Sequence, residues 1–204
     1  MSALEKPADT PYPIHDLIRR RWSPRAFAER PVEPEVLRSL FEAARWAASS
    51  DNEQPWRFIV ATKADPEAYG RLFDCLLEGN QRWVHRVPVL VLSVARLTFE
   101  DGGAPNRHAF HDVGMAAAHL ALQATALGLA IHQMAGFRVD QAKANVKMPD
   151  GHEPVAMIAI GYPGDPAVLP DRLRARELAP RERMPVEDFV YGGEWGRPAP
   201  PLAG

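Results

Sequence analysis

A cluster of basic and hydroxyl side chains near the amino end has the composition of an anion-binding site. The segment R-R-R-W-S-P-R, residues 19–25, contains five side chains that can donate hydrogen bonds to an oxyanion. Pro24 favours a turn, which would direct Ser23 and Arg25 to the same side. The alternative is a chance run, because 20 of the 24 basic residues in this chain are Arg.

A second polar cluster, S-S-D-N-E-Q-P-W, covers residues 49–56. Its residue types favour local side-chain hydrogen bonds over helix, so we expect the preceding helix to end here. The cluster stands directly before an apolar run. A polar loop that ends in Gln-Pro-Trp suits a planar polar ligand, and the alternative is an ordinary helix-to-strand turn.

A third cluster, R-E-R, lies in a Pro-rich stretch near the carboxyl end and contains Arg181 and Arg183. In an extended segment, side chains two residues apart point to the same side. Two guanidinium groups placed in this way could clamp a phosphate. The alternative is a solvated run of charges.

Histidines do not indicate a metal site. His108, His111 and Asp112 are close in sequence, but no further ligand is placed near them, so we expect a solvated or helix-capping group. His119 and His132 stand in apolar surroundings. We therefore expect both to be hydrogen-bonded histidines of the core.

Composition excludes several classes of protein. The 204 residues carry 24 Lys and Arg against 26 Asp and Glu, a net charge of −2, which argues against a nucleic-acid-binding protein. No apolar run approaches the length of a membrane span, and the first residues lack a signal-peptide pattern. The single cysteine, Cys75, excludes a disulfide framework and favours a reducing cytoplasm. Its apolar helical face predicts a buried, inert thiol.

Hydrophobic patterning predicts helices that alternate with about four short apolar strands, an α/β sandwich in which helices cover a sheet. The predicted strands cover 56–62, 88–95, 129–134 and 154–162, and the predicted helices cover 14–21, 34 to about 48, 66–79, 108–127 and 139–147. The helix over 108–127 is apolar nearly all round, which places it at the centre of the fold or in an interface.

The chain divides into three parts by composition. Residues 1–13 form a polar amino-terminal arm, residues 14–162 form the core, and residues 163–204 form a Pro- and Arg-rich carboxyl-terminal arm. A structureless segment of this length is unusual within a compact monomer. We therefore expect an extended arm that wraps a partner subunit.

Together and in this order, the clusters resemble the nitroreductase family of flavin-dependent oxidoreductases, over roughly residues 14–191. R-W-S-P-R-A-F is similar to the family's Arg-x-Ser-x-Arg/Lys-x-Phe motif, and A-A-S-S-D-N-E-Q-P-W-R-F to its Ala-Pro-Ser-Ser-x-Asn-x-Gln-Pro-Trp motif. D-V-G-M-A-A-A-H-L-A-L-Q is similar to the helix along the family's dimer interface. M-A-G-F resembles its loop beside the flavin ring, and R-E-R-M-P-V-E-D-F-V its carboxyl-terminal phosphate-binding piece.

This resemblance implies an FMN-binding α+β fold with a central mixed sheet of about four to five short strands. It implies that Arg21 and Ser23, with Arg181 and Arg183, hold the phosphate and ribityl end of FMN. Arg25 would reach the pyrimidine edge of the ring, where a cation stabilises the negative charge of the reduced form. Asn80 stands where the family often has an Asn that bonds the same edge.

The resemblance also implies a homodimer with FMN sites at the subunit interface. Gln133, Met134, Ala135 and Gly136 would line the ring, with the backbone N–H of Ala135 or Gly136 near the nitrogen that accepts hydride. Three residues would come from the second subunit: Ser49, Ser50 and Asn52.

Some positions depart from the family's pattern. Trp22, which we also place among the cofactor-binding residues, fills a position that is more often Arg or His, and Ala48 stands in place of the usual Pro. Ala135 stands where some members carry an acidic residue. The long excursion that forms a lid in some relatives is absent from the sequence.

The implied activity is the reduction of small conjugated acceptors (nitroaromatics, quinones or enones) with NADH or NADPH, by ping-pong hydride transfer. We assign no catalytic side chain, since the last proton could come from water. We also assign no metal ligand. Two alternatives remain: a divergent member acting on a specific metabolite, and a flavin-binding protein without turnover. A helical interaction scaffold would require all three polar clusters to be accidental.

Overall fold

The computed structural model describes residues 4–200 and contains one four-stranded sheet within them. The strands are β1 (Trp56–Thr62), β2 (Val89–Arg96), β3 (Ala130–Met134) and β4 (His152–Gly161). Their spatial order is β1-β2-β4-β3, and every pairing is antiparallel. The α+β class and the four strands are confirmed, but the sheet of the single chain is antiparallel rather than mixed.

Seven helices surround the sheet in the described part of the chain. They are α1 (Asp16–Arg20), α2 (Pro34–Arg45), α3 (Pro66–Phe73), α4 (Glu78–Val84), α5 (Ala109–Ala126), α6 (Val139–Asn145) and α7 (Asp171–Leu178). Short 3₁₀ turns cover Ser50–Asn52, Pro166–Val168 and Val186–Asp188. Among these residues, no helix combines the length and the apolar character needed to cross a membrane.

The sheet separates two apolar cores because β2 is buried along nearly its whole length. Leu90 and Leu92 pack on one face with residues of α3, α4 and α6, whereas Val89 and Val91 pack on the other with α2 and α5. Each fully buried aliphatic side chain of this kind contributes roughly 2 kcal/mol. Coverage on both faces explains why the β2 sequence is continuously apolar even though its neighbours are antiparallel.

The prediction of one helix over 66–79 was wrong, since the chain leaves the helix after Phe73 and starts α4 at Glu78. Tertiary hydrogen bonds replace helical ones in the break: the Cys75 carbonyl accepts from Arg138 N, and Leu77 N donates to the Gly136 carbonyl. Sequence periodicity does not register such partners. The break brings the start of α4 against the loop that follows β3.

The carboxyl-terminal part is not extended throughout, because α7 forms within it. Its polar composition hid this helix: of its eight residues only Glu177 is buried. Pro163 pairs with Phe27 in an isolated bridge, and a Cβ on Gly164 would lie 2.6 Å from the Phe27 carbonyl carbon. This close approach fixes the start of the carboxyl-terminal part beside the R-W-S-P-R-A-F segment.

Candidate functional site

A pocket of about 190 Å³ lies where three distant segments of the chain meet. The segments are the amino-terminal arm, the turn after α1, and the stretch from α7 to residue 183. The pocket is lined by Lys6, Arg21, Trp22, Ser23, Arg25, Arg176, Glu177, Arg181 and Arg183. Six of the predicted site residues are therefore brought together here, in a lining of six cations and a single carboxylate.

The guanidinium groups of Arg21, Arg181 and Arg183 influence one another across the pocket. Burial, and to a smaller extent the positive charge of Arg183, lowers the pKa of Arg21. Burial, followed by the charges of Arg21 and Arg183, lowers the pKa of Arg181. Within residues 4–200, none of the three forms an ion pair with a carboxylate. An anion in the pocket would relieve this repulsion, and Arg supplies the paired donors that phosphate accepts.

Backbone carbonyls hold these cations in place. Arg181 Nη1 donates to the carbonyls of Lys6, at 2.7 Å, and Arg19, at 3.0 Å. Lys6 Nζ in turn donates to the carbonyl of Glu177 at 2.7 Å, and it lies 4.9 Å from the centre of the Trp22 ring. Sequence reasoning missed Lys6, because nothing in a Pro-containing arm indicates a partner more than 170 residues away.

The turn that carries Arg25 is held from two sides. Glu177 Oε1 accepts from the backbone N–H groups of Arg25, at 2.7 Å, and Ala26, at 2.9 Å. On the other side, His132 Nδ1 lies 2.8 Å from the Pro24 carbonyl and must carry the hydrogen, since that oxygen only accepts. Burial lowers the pKa of His132 to about 4, so its ring is neutral near pH 7. His132 is thus the hydrogen-bonded core histidine that was predicted.

A second group of predicted residues lies at the loop after β3. Asn80 Nδ2 donates to the Gly136 carbonyl at 3.0 Å, and a Cβ on Gly136 would lie 2.7 Å from that nitrogen. Gln133 and Ala135 are exposed. Met134 is 4% exposed and its side chain packs in the core, so its backbone is the part that can line a ring site.

A third group, Ser49, Ser50 and Asn52, lies in the loop between α2 and β1. Three non-glycine residues of this loop adopt left-handed backbone conformations: Asp51 (φ 49°), Asn52 (φ 57°) and Gln54 (φ 48°). Such a concentration of strained residues is typical of functional loops. Ser50 N donates to the buried carboxylate of Asp112 at 3.0 Å, which fastens the loop to the start of α5.

The third group does not join the pocket within one chain. Trp22 lines a neighbouring cleft with Thr125 and Gly128, at the end of α5, whereas Ser50 is bonded to Asp112 near its start. Thirteen residues separate Asp112 from Thr125, a distance of about 20 Å along a helix axis.

The remaining titratable residues do not form a second centre. Among residues 4–200, no three His, Cys, Asp or Glu side chains converge as a metal site would require. His111 Nδ1 lies 3.0 Å from Asp112 Oδ1. Cys75 is fully buried, as predicted, and burial raises the pKa of its thiol.

Comparison with known sequences identifies similar proteins over most of the chain. A sequence model of the Nitroreductase family matches residues 18–162. An uncharacterised 15.4 kDa protein of Mycolicibacterium smegmatis is 35% identical over 149 residues, which are 70% of this chain and 99% of that protein. A protein of Xanthomonas oryzae, provisionally named an NADH dehydrogenase/NAD(P)H nitroreductase, is 33% identical over 76% of this chain and 87% of its own length.

Solved structures show the same fold. A crystal structure described as an oxidoreductase containing FMN superposes with a TM-score of 0.87, at 37% identity, and covers 93% of this chain and 96% of that one. A nitroreductase family protein from Clostridium difficile superposes with a TM-score of 0.68, at 26% identity, over 87% of this chain and 96% of that one.

Proposed function

The chain belongs to the nitroreductase family, and from that premise we propose that it is an FMN-dependent oxidoreductase that uses NADH or NADPH to reduce small conjugated acceptors such as nitroaromatics, quinones and enones. The observation that carries this proposal is the cation-lined pocket. It is built from the two motifs that the family resemblance assigns to phosphate, and its guanidinium groups lack carboxylate partners among residues 4–200.

The pocket fits the phosphate end of FMN. Arg21, Arg181 and Arg183 repel one another, and a phosphate with close to two negative charges would convert that repulsion into attraction. Ser23 Oγ lies 3.4 Å from Arg21 Nη1 and adds a hydroxyl donor beside them. Lys6 and Trp22 would close the amino-terminal side.

Two neighbouring features suit the ring end of FMN. Arg25, on the turn held by Glu177 and His132, would face the pyrimidine edge and stabilise negative charge that develops there. Asn80 fixes the loop that presents Ala135 and Gly136, and its Oδ1 remains able to accept from the same edge.

These residues indicate what FMN and the protein chain would each contribute to the reaction. When bound, FMN supplies the hydride chemistry. The chain binds the phosphate, orients the ring and provides an open face, which we propose the nicotinamide donor and the acceptor occupy in turn, in a ping-pong sequence. We assign no side chain as an essential acid or base, so the final proton would come from water.

We further propose that a second copy of the chain completes each site. The distance of about 20 Å along α5 between the pocket and Ser50 supports a contribution of Ser49, Ser50 and Asn52 from the other subunit. The exposed stripe of α5 (Phe110, Gly114 and Ala118) is apolar and offers a surface for that copy. The exposed side chains of Met184, Phe189 and Trp195 suit an arm that packs on a partner.

The proposed compartment is a reducing cytoplasm. It is supported by the single cysteine, whose buried thiol cannot reach a partner cysteine without unfolding.

Absorbance of the purified full-length protein tests the proposed function. We expect flavin bands that bleach under anaerobic conditions after NADH or NADPH is added, and that return when a quinone or a nitroaromatic follows. Bands that persist with both donors would favour a flavin-binding protein without turnover. Bleaching without recovery in any general acceptor would favour a member dedicated to a specific metabolite, and a protein that takes up no FMN would overturn the proposal.

A further inference from the structure

We propose that Glu177 is a positioning residue for the flavin site. Its side chain is long enough for the carboxylate to accept hydrogen bonds from the backbone of the Arg25 turn, and this reach, rather than the negative charge, is what holds the turn. This inference rests on the proposed function, because its consequence for catalysis is exerted through Arg25. None of the motifs assigned from the sequence includes Glu177.

The contact geometry indicates a backbone clamp. Glu177 lies on α7, is 1% exposed, and is 152 residues from Arg25 in sequence. One of its oxygens, Oε1, accepts from two consecutive N–H groups, those of Arg25 and Ala26. Two consecutive donors to one acceptor fix the orientation of both peptide planes, and hence the direction in which the Arg25 side chain leaves the backbone.

The clamp is two-sided. From β3, His132 donates to the Pro24 carbonyl. From α7, Glu177 accepts from the N–H groups of the next two residues, Arg25 and Ala26. The N–H and C=O groups on either side of one peptide turn are thus bound by two elements that are far apart in sequence. Without the Glu177 contact, the turn is held at Pro24 and again at the Ala26 carbonyl, which accepts from Gly164 N at 2.9 Å, but the N–H groups of Arg25 and Ala26 between these points lose their acceptor.

The surroundings of the second carboxylate oxygen, Oε2, indicate that Glu177 does not hold the turn through its negative charge. Glu177 Oε2 is buried and has no hydrogen-bond partner among residues 4–200. An amide in place of the carboxylate keeps Oε1 as acceptor of both N–H groups, places an NH2 group at this unpartnered position and removes the negative charge. Shortening the side chain instead keeps the charge and withdraws the acceptor by about 1.5 Å, one carbon–carbon bond.

Two variants of the full-length protein therefore separate reach from charge. Glu177→Gln keeps the reach and removes the charge, whereas Glu177→Asp keeps the charge and loses the reach. Asp171→Asn is the matched control, because Asp171 is an exposed carboxylate of the same helix that does not touch the turn. Each protein is compared by amide hydrogen exchange at Arg25 and Ala26, by the midpoint potential of bound flavin, and by its rate of reduction with NADH.

We expect Glu177→Asp to accelerate exchange at both amides by about tenfold or more, since the N–H groups of Arg25 and Ala26 both lose their acceptor. The same variant should lower the midpoint potential and slow reduction on the order of tenfold, while Glu177→Gln and Asp171→Asn stay close to the parent protein. Equal losses in the Asp and Gln variants would show that charge matters and would overturn the proposal, as would an Asp variant that behaves like the parent.

The exchange measurement does not depend on flavin. If the parent protein takes up no flavin, the proposed function fails, and the two amides alone still decide whether Glu177 clamps the turn.

Discussion

The cation-lined pocket and the loop over residues 49–54 differ in how completely a single chain builds them. The pocket draws on residues 6, 21–25 and 176–183, and its turn is bonded on both sides by Glu177 and His132. The loop has three left-handed non-glycine residues and is fastened to α5 by Asp112, beside an apolar helix stripe that no described residue covers. Under the proposed function, the pocket binds an anion and the loop contacts a second copy of the chain.

Each region is also anchored differently. The pocket's anchors, Glu177 and His132, lie on α7 and β3, so they couple the site to the carboxyl-terminal part and to the sheet. The loop's anchor, Asp112, lies on α5, the same helix that carries the exposed stripe. A change in the pocket should therefore affect cofactor affinity, whereas a change at the loop or stripe should affect association of subunits.

The largest expected effect is on the pocket. Arg181→Ala with Arg183→Ala removes two charge-assisted phosphate donors, each worth roughly 2 kcal/mol, and should weaken FMN binding by about a thousandfold. The measurement is a fluorescence titration with FMN. The matched control is Arg172→Ala with Arg174→Ala, which removes the same charge from exposed positions of α7. Equal weakening in the control would mean that the pocket acts through net charge alone.

The next effect is on the stripe. A Cβ at Gly114 meets no atom within 4 Å in the single chain, so Gly114→Leu should leave the monomer's stability intact. In a dimer packed on this stripe, the added side chain should raise the dimer dissociation constant by about a hundredfold, because it enters the interface from both copies. Sedimentation measures this change. Gly70→Leu on α3, where a Cβ is equally unobstructed, is the control that should leave association unchanged.

The third effect is the pH dependence of the pocket's anchor. His132 has a folded pKa of about 4, below its ordinary 6.5, so the unfolded chain takes up a proton first as the pH falls. The free energy of unfolding should therefore decrease by up to about 3 kcal/mol between pH 6.5 and pH 4. His132→Asn keeps an N–H donor without titrating, and it should remove that part of the slope in denaturant unfolding. His85→Asn, at an exposed histidine, should leave the slope in place.

The smallest effect concerns the loop's anchor. Asp112→Ala leaves the N–H of Ser50 without its acceptor and should lower the free energy of unfolding by about 1–2 kcal/mol, measured by urea denaturation. His111→Ala removes the other contact of Asp112, but the His111 side chain is 72% exposed and should contribute close to nothing. A large effect of His111→Ala would mean that the ion pair, and not the Ser50 contact, holds the loop.

The two regions also differ in what the sequence could predict. The strands over 56–62 and 88–95 follow from local apolar runs, and motif resemblance assembled the six pocket residues that the structure brings together. Local patterns could not identify Lys6 or Glu177, whose partners lie 171 and 152 residues away. The same limit explains the missed break between α3 and α4, where contacts with Gly136 and Arg138 replace helical hydrogen bonds.

The claim that one site needs two chains has a direct test in mixed dimers. One chain carries Arg181→Ala with Arg183→Ala, and the other carries Ser49→Ala, Ser50→Ala and Asn52→Gly, with glycine chosen because Asn52 has a φ of 57°. The two chains carry different affinity tags and are co-expressed, and the mixed dimer is isolated through both tags. Each parent variant alone should hold little FMN.

A shared site predicts that the mixed dimer regains one FMN, because one of its two sites then combines an intact pocket from one chain with an intact loop from the other. A site built within a single chain predicts no recovery, since every chain carries a defect. One FMN per mixed dimer is the result expected here. A mixed dimer as empty as both parents, or a triple loop variant that keeps its FMN, would contradict it.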